Sequence, residues 1–355
     1  MFRDAFEIFH SEHHGYGRGF LLVMGLLAQI HAFLSRSADF DIHEEIKDSP
    51  TISESSLRVL APHSDRWSHL TRYGGFTGTI YQELGLFDLP RLRYLSYLFP
   101  PDLYTFNVPM LSHIKVEDVM WPHSPPFQSQ LTRVNLLLRR LNSYDVSGFA
   151  SFCQMTSLRD LSLDFVDCKH LERSFAVTKL PEPHSHPIES LSITIRWSTP
   201  REFVAEIYDE LGYLMTTTVD IFLQMDPPVR DAHMFVFGSQ VGLFPYSSTI
   251  SLHTLLPCDV WYVLENIVRH CAIVHSVQFE VPTFNNLEDC PDFQNLGSLQ
   301  CLHFRECDTL SQKMVETMAK NISLRKLEIT RCKMISEEFL LNLSDEIGEK
   351  MKWTV

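Results

Sequence analysis

The stretch LQCLHFREC, at Leu299–Cys307, is followed 25 residues later by LRKLEITRC, at Leu324–Cys332. Both copies fit the pattern L-x-x-L-x-φ-x-x-C, in which φ is an apolar residue. From the second leucine onward, apolar and polar residues alternate, as they do in a β-strand with one buried face and one face in water. The repetition indicates that one structural unit is used twice, with the cysteine as a small buried side chain in the turn after the strand.

The second leucine of the pattern marks equivalent positions along most of the chain. Twelve such markers can be placed, and the intervals between them range from 19 to 31 residues. This irregular period is typical of leucine-rich repeats, in which a short strand alternates with a helix or a loop. The markers are Leu70, Leu95, Ile114, Val134, Leu161, Leu191, Val219, Ile250, Val277, Leu302, Leu327 and Met351.

The residue after each marker gives a stronger test, because the markers themselves were chosen as apolar positions. All twelve of these residues are polar, and the next residue is apolar in eleven units, with Arg72 as the exception. The sequence therefore predicts an α/β fold: a leucine-rich-repeat solenoid with a curved parallel sheet of about twelve strands and outer helices. Residues 1–66 are predicted to be a helical segment that caps one end, and residues 67–355 to be the repeat domain.

Helices are predicted between several of the strands. Ser311–Asn321 places three apolar residues on one helical face after a Ser311 cap. Ser336–Lys350 repeats this design, and residues 201–215 and 259–270 also have a helical pattern. Cys168 is predicted to close its turn as Cys307 and Cys332 do, two residues later in its unit. The segment Pro181–Pro187 and residues 226–246 are predicted to be a loop and a looser insertion.

Charge and cysteine content limit the classes of partner and compartment. The formal net charge is −14 and the sequence has no basic stripe, which argues against a general nucleic-acid binder. The eight cysteines form no C-x-x-C pair, so we expect reduced thiols in a cytoplasmic or nuclear protein. The apolar run Leu21–Leu34 is 14 residues long, too short to span a bilayer, and is predicted to be a buried helix.

The segment before the first marker carries a resemblance to a known family. Leu60–Leu70 reads L-x-P-H-S-x-R-W-x-x-L, and together with His31–His43 it resembles the F-box and leucine-rich-repeat proteins of mushroom-forming fungi. The resemblance implies a substrate-receptor arm of a ubiquitin ligase, with a target protein on the concave face and an F-box that docks on the Skp-type adaptor of a cullin-RING ligase. Residues 1–25 lack the leucine-proline start of an F-box, so we expect either a truncated relative or an F-box further upstream.

Catalytic and cofactor motifs were sought and none is convincing. The glycine-rich segment 15–19 lacks the Lys-Ser/Thr of a phosphate loop, and no cysteines accompany His10, His13 and His14. Lys47 replaces the second histidine of the zinc-protease motif, and no G-x-S-x-G is present. We therefore expect no catalytic residue, no cofactor and no metal. An enzyme or GTPase regulator on the same fold remains an alternative for which no side chain can be nominated.

The polar positions of the strands are the predicted protein-binding surface. Asp164, Asp220, Glu280 and Glu328 make this face mixed to acidic, so a ligand with basic or hydroxyl groups fits better than an anion. Exposed aromatic residues, such as Tyr97 or Phe222, would be its hot spots. The alternatives are that these residues are polar only because they face water, and that the chain is a stand-alone scaffold or decoy. The predicted residues are Asn135, Ser162, Asp164, Ser192, Asp220, Phe222, Ser251, Gln278, Glu280, His303, Arg305 and Glu328.

Overall fold

The structure is a computed structural model, and it describes most of the repeat region. The described residues are 41–46, 57–72, 83–98, 106–118, 121, 126–140, 147–169, 187–225, 232–238, 244–285, 298–321 and 324–354. The glycine-rich segment 15–19, the three N-terminal histidines, the apolar run Leu21–Leu34, Cys290 and all but the last residue of the predicted loop Pro181–Pro187 lie outside them.

Thirteen strands form one sheet in which the order of the strands follows the sequence. The recorded pairings, among β1–β4 and among β6–β13, are all parallel. The strands are β1 (Ile42–Ile46), β2 (Trp67–Arg72), β3 (Tyr94–Leu98), β4 (His113–Glu117), β5 (Arg133–Arg139), β6 (Asp160–Val166), β7 (Ile188–Trp197), β8 (Thr216–Met225), β9 (Ser247–Thr254), β10 (Ser276–Glu280), β11 (Cys301–Arg305), β12 (Lys326–Thr330) and β13 (Met351–Thr354).

The register of the strands confirms the marker positions. Leu70 lies opposite Leu95, and Leu95 lies opposite Ile114. From Leu161 to Met351 every marker lies opposite the next one. All markers from Leu161 to Leu327 are at most 1 % exposed. Burying each of these side chains contributes about 1.5–3 kcal/mol, so the column of markers is a continuous apolar core.

One strand was not predicted. Ile42–Ile46 pairs with β2, with Glu44 opposite Leu70, although residues 1–66 were expected to be helical. The sequence of β1, IHEEI, lacks the alternation found in the other strands, so periodicity could not reveal it. Further along, Ala61–Arg66 forms a 3₁₀ helix and the buried Trp67 begins β2.

The helices occur where the apolar pattern predicted them. Four helices have both ends in the described ranges: α1 (Arg201–Glu210), α2 (Val260–His270), α3 (Gln312–Asn321) and α4 (Glu337–Ile347). Ser311 Oγ accepts a hydrogen bond from the backbone N–H of Met314 at 3.3 Å, which confirms the predicted cap. In the first part of the chain, the described connections contain 3₁₀ helices, such as Gln128–Gln130 and Ser147–Gln154.

The three turn cysteines have the predicted role. Cys168, Cys307 and Cys332 are at most 6 % exposed, and each thiol donates a hydrogen bond to a backbone carbonyl of the preceding strand. Cys168 comes two residues later in its unit because β6 has seven residues and β11 has five. The thiol-to-oxygen distances are 3.1 Å for Cys168 to Leu138, 3.5 Å for Cys307 to Phe279 and 3.7 Å for Cys332 to Phe304.

The chain divides into two compact units. The first contains residues 1–119 and 124–136, and the second contains residues 120–123 and 137–355. Of the predicted binding residues, Asn135 belongs to the first unit and the other eleven belong to the second. The boundary predicted near residue 66 lies within the first unit and stays a prediction.

Candidate functional site

Two rows of side chains run across the polar face of the second unit. The first polar row contains the residues directly after the markers in β6–β12: Ser162, Ser192, Asp220, Ser251, Gln278, His303 and Glu328. The second polar row lies two residues further along the same strands: Asp164, Thr194, Phe222, His253, Glu280, Arg305 and Thr330. The eleven predicted residues of this unit therefore share one face of the sheet.

The second polar row is linked side chain to side chain over four strands. The ring of Phe222 stacks on that of His253, with centroids 4.4 Å apart and planes 12° apart. His253 Nδ1 lies 3.3 Å from Glu280 Oε2, and the same oxygen lies 3.6 Å from Arg305 Nε. Aromatic, imidazole, carboxylate and guanidinium groups thus form one connected series, which fixes their positions relative to one another.

His303, in the first polar row on β11, contacts one side chain in each neighbouring strand. Its Nδ1 lies 3.1 Å from Gln278 Oε1, and its Nε2 lies 3.0 Å from Thr330 Oγ1. A neutral ring that donates through Nδ1 and accepts through Nε2 satisfies both contacts. Glu328 Oε2 is further away, at 3.9 Å from Nδ1.

Burial lowers the pKa of His303 below its usual value near 6.5, and the positive charges of Arg305 and Lys326 act in the same direction. The carboxylates of Glu328 and Glu280 oppose the shift without cancelling it. His303 is therefore held as a neutral hydrogen-bonding group in the middle of the polar face.

Three other predicted residues, Asp164, Ser251 and Asn135, differ in their contacts and burial. Asp164 Oδ1 accepts from Arg196 Nε at 2.9 Å, at the start of the second polar row. Ser251 is only 7 % exposed. In the first unit, Asn135 Nδ2 lies 3.3 Å from His113 Nε2.

A groove of about 480 Å³ lies beside the second polar row, where β8, β9 and β10 end. Of the described residues that line it, Glu280 and Glu306 carry formal charge and none is lysine or arginine. Leu255, which follows β9, is 86 % exposed at its rim. The groove is lined by Phe222, Leu223, Gln224, Met225, His253, Thr254, Leu255, Leu256, Glu280, Pro282 and Glu306.

Trp197 stands next to this groove at the end of β7. It is the register partner of Met225, which lines the groove, and it is 51 % exposed. Its φ of 55° is in the left-handed region, which is unfavourable for a bulky side chain. Exposed tryptophans are enriched among residues that dominate protein interfaces, so Trp197 extends the candidate surface.

One expected side chain needs correction, and three were missed. Tyr97 was expected to be exposed, but it is fully buried because it lies two residues after its marker and points into the core. His253 was missed, although it occupies the same position as Glu280 in the adjacent strand. Leu255 and Trp197 were missed because both lie at strand ends, which the alternation does not define.

Burial makes three of the described cysteines poor candidates for a nucleophile, whereas a hydrogen bond from Cys307 lowers the pKa of Cys332. All seven described cysteines are free thiols, and burial raises the pKa of both Cys153 and Cys258 to about 12. Burial likewise raises the pKa of Cys307. Because the thiolate is the reactive form, these three residues act as small buried side chains near neutral pH.

Among the described residues, no three His, Cys, Asp or Glu side chains are grouped so that they could hold a metal ion. No helix in the described ranges is both long enough and apolar enough to cross a lipid bilayer. The sequence matches no known family model, and a comparison with curated proteins also finds no match.

Proposed function

We propose that this chain is a non-catalytic protein-binding module, the substrate-receptor-like arm of an F-box type ubiquitin ligase subunit. It binds a target protein on the polar face of its repeat sheet and contacts neither nucleic acid nor membrane. The observation that carries the proposal is the second polar row, in which Phe222, His253, Glu280 and Arg305 are joined over four strands beside a groove.

The arrangement of these side chains is more typical of a protein-binding surface than of a catalytic site. The polar groups contact one another, so the surface is rigid before a partner arrives, which reduces the entropy cost of binding. Aromatic and arginine side chains at the centre of a surface are typical of binding hot spots. The raised pKa values of the Cys153 and Cys258 thiols disfavour a nucleophile at either position. The link to a ligase rests on the resemblance of Leu60–Leu70 and His31–His43 to the F-box and leucine-rich-repeat family.

The test is capture of the C-terminally tagged chain from its native cells, followed by quantitative mass spectrometry of the bound proteins. We expect a reproducible target protein together with enrichment of the Skp-type adaptor. A target without the adaptor would support the alternative of a stand-alone scaffold or decoy. Failure to recover any reproducible protein partner would contradict both forms of the proposal.

Two matched variants locate the binding face. Ser192→Arg combined with Asp220→Arg places two long cations on the first polar row and should abolish capture of the target. Asn342→Arg places one cation on the exposed face of α4, away from the strands, and should leave capture unchanged. Equal capture by both variants would show that the target binds elsewhere on the chain.

A further inference from the structure

We infer that the groove beside β8, β9 and β10 binds a protein segment in which an apolar side chain stands next to a lysine or arginine. This inference rests on the proposed protein-binding function and adds the chemistry of the bound segment. It follows from the two kinds of surface that line the groove and from the contacts of its two carboxylates.

The apolar part of the groove fits one large hydrophobic side chain. Met225, Leu256 and Pro282 line it together with the ring of Phe222, which the stack on His253 holds in place. Leu255 lies at the rim with 86 % of its surface in water. Covering such surface with a partner's side chain is favourable by about 25 cal/mol for each Å² removed from water.

The charged part of the groove fits a cation. Glu280 and Glu306 are its only formally charged residues among the described lining, and the whole chain has a net charge of −14. A segment with a lysine or arginine is attracted to this lining, whereas an acidic or phosphorylated segment is repelled.

The two carboxylates keep one oxygen each for such a ligand. The contacts of Glu280 with His253 and Arg305 both use Oε2. Glu306 uses Oε1 for both Arg305 and Arg331, at 3.8 and 3.4 Å. Among the contacts of the described residues, Glu280 Oε1 and Glu306 Oε2 make none of this kind. A carboxylate oxygen has two lone pairs, so both atoms can accept from a ligand's ammonium or guanidinium group without breaking the existing pairs.

The experiment starts from a random nonapeptide phage library, selected on the immobilised full chain. We expect the recovered peptides to carry Lys or Arg within two positions of Leu, Met, Phe or Trp. Fluorescein-labelled versions are then titrated against purified variants by anisotropy. Glu280→Gln and Leu255→Ser should each weaken binding about tenfold, because each removes one part of the recognition.

Matched controls separate the groove from the rest of the chain. Glu265→Gln neutralises an exposed carboxylate of α2 that is also paired with an arginine, and Leu341→Ser removes an exposed leucine of α4. Both should change binding less than twofold. Leu255, Leu341 and Glu265 are exposed and Glu280 is half-buried on the polar face, so circular dichroism should give equal melting temperatures within a few degrees.

The possible results distinguish this inference from the function on which it rests. Peptides without the cation–apolar pair, or with equal affinity for Glu280→Gln, Leu255→Ser and the controls, would overturn the groove inference. Recovery of no peptide at all would also overturn it. In either case, a target captured from native cells and lost in the Ser192→Arg, Asp220→Arg variant would leave the protein-binding function standing.

Discussion

The second unit contains two kinds of repeat that share one register. The strands β6–β9 have seven, ten, ten and eight residues, whereas β10–β13 have five, five, five and four. Their markers nevertheless lie opposite one another without a shift. The long strands therefore add residues at their ends while the apolar centre stays the same.

The difference in length creates the groove. Met225 ends β8 six residues after its marker, while Glu280 ends β10 three residues after its own. The sheet edge steps down between them, and the groove lies at this step. The core fixes where strands align, and the strand ends are the positions at which one repeat can be made to differ from the next without disturbing the core.

Residues with a left-handed backbone conformation also lie further from the markers in the long strands than in the short ones. Asp167 and Trp197 lie six residues after their markers, whereas Glu306 and Arg331 lie four residues after theirs, and all four have φ between 52° and 55°. The N–H groups of Glu306 and Arg331 still bond to the next strand, at 2.9 and 2.8 Å. The left-handed turn thus ends β6, β7, β11 and β12 wherever each of these strands stops, and it places the exposed Trp197 beyond the common centre.

The largest expected effect tests whether both kinds of repeat belong to one core. Phe304 of β11 is fully buried and stacks on Phe279 with ring centroids 5.8 Å apart. Phe304→Ala should lower the free energy of unfolding by about 3–5 kcal/mol, because it leaves a cavity in the core. Ile221→Ala in β8, which is also fully buried, should cost about 2–5 kcal/mol.

Urea unfolding followed by circular dichroism measures both changes. The exposed Leu341→Ala serves as the control and should change the free energy of unfolding by less than about 0.5 kcal/mol. Two separate transitions in the wild type, with each core variant moving only one of them, would mean that the long and short strands unfold independently.

Substitution of the turn cysteines should give the next largest loss of stability. Cys168→Ala and Cys307→Ala should each cost about 1–2 kcal/mol, because each removes a buried sulfur at the same structural position. Cys301→Ala is the control, because Cys301 is only half-buried on the polar face and its loss should be nearly neutral. The midpoints of urea unfolding would distinguish these three variants. If Cys168→Ala left the midpoint unchanged, Cys168 would not have the stabilising role of Cys307 at its position two residues later.

The sequence predicted the centre of the fold because that part is governed by burial. Alternation around the markers determined which residues face the core, so the register followed from apolar spacing alone. The four helices were predicted for the same reason, as each has enough apolar residues for one face. The twelve predicted binding residues could be assigned to one face of the strands without knowledge of their contacts.

The parts that could not be predicted depend on where strands stop. Nothing in the spacing distinguishes a ten-residue strand such as β8 from a five-residue strand, because the extra positions carry mixed residues. The groove, the exposure of Leu255 and the left-handed Trp197 all follow from those ends. Tyr97 was wrongly expected to be exposed, although its position in the alternation placed it in the core.

Substitutions at Trp197 should change stability less, and they test whether the left-handed residue constrains the end of a long strand. Trp197→Val should destabilise the fold by about 1–2 kcal/mol, because a β-branched residue is strained at φ near 55°. Trp197→Gly should change stability by less than about 1 kcal/mol, since relief of strain offsets the greater freedom of the unfolded chain. Arg331→Val and Arg331→Gly are the matched pair in a short strand, measured by thermal unfolding. A valine tolerated at either position would mean that the left-handed turn does not constrain the end of that strand.

The smallest expected effect concerns pH and the first polar row in the short strands. The pKa of His303 is lowered in the folded protein, so the unfolded chain binds its proton first as the pH falls. The stability that the neutral ring contributes is present above about pH 6.5 and is lost as the pH falls through the folded pKa. We therefore expect the urea midpoint to fall between pH 7.5 and 5, and to fall less in His303→Gln. Burial also lowers the pKa of His69, so the difference between wild type and variant is the quantity to compare. An equal fall in both proteins would mean that burial does not hold the His303 ring neutral, and that this row adapts to a charge as readily as a solvent-exposed surface does.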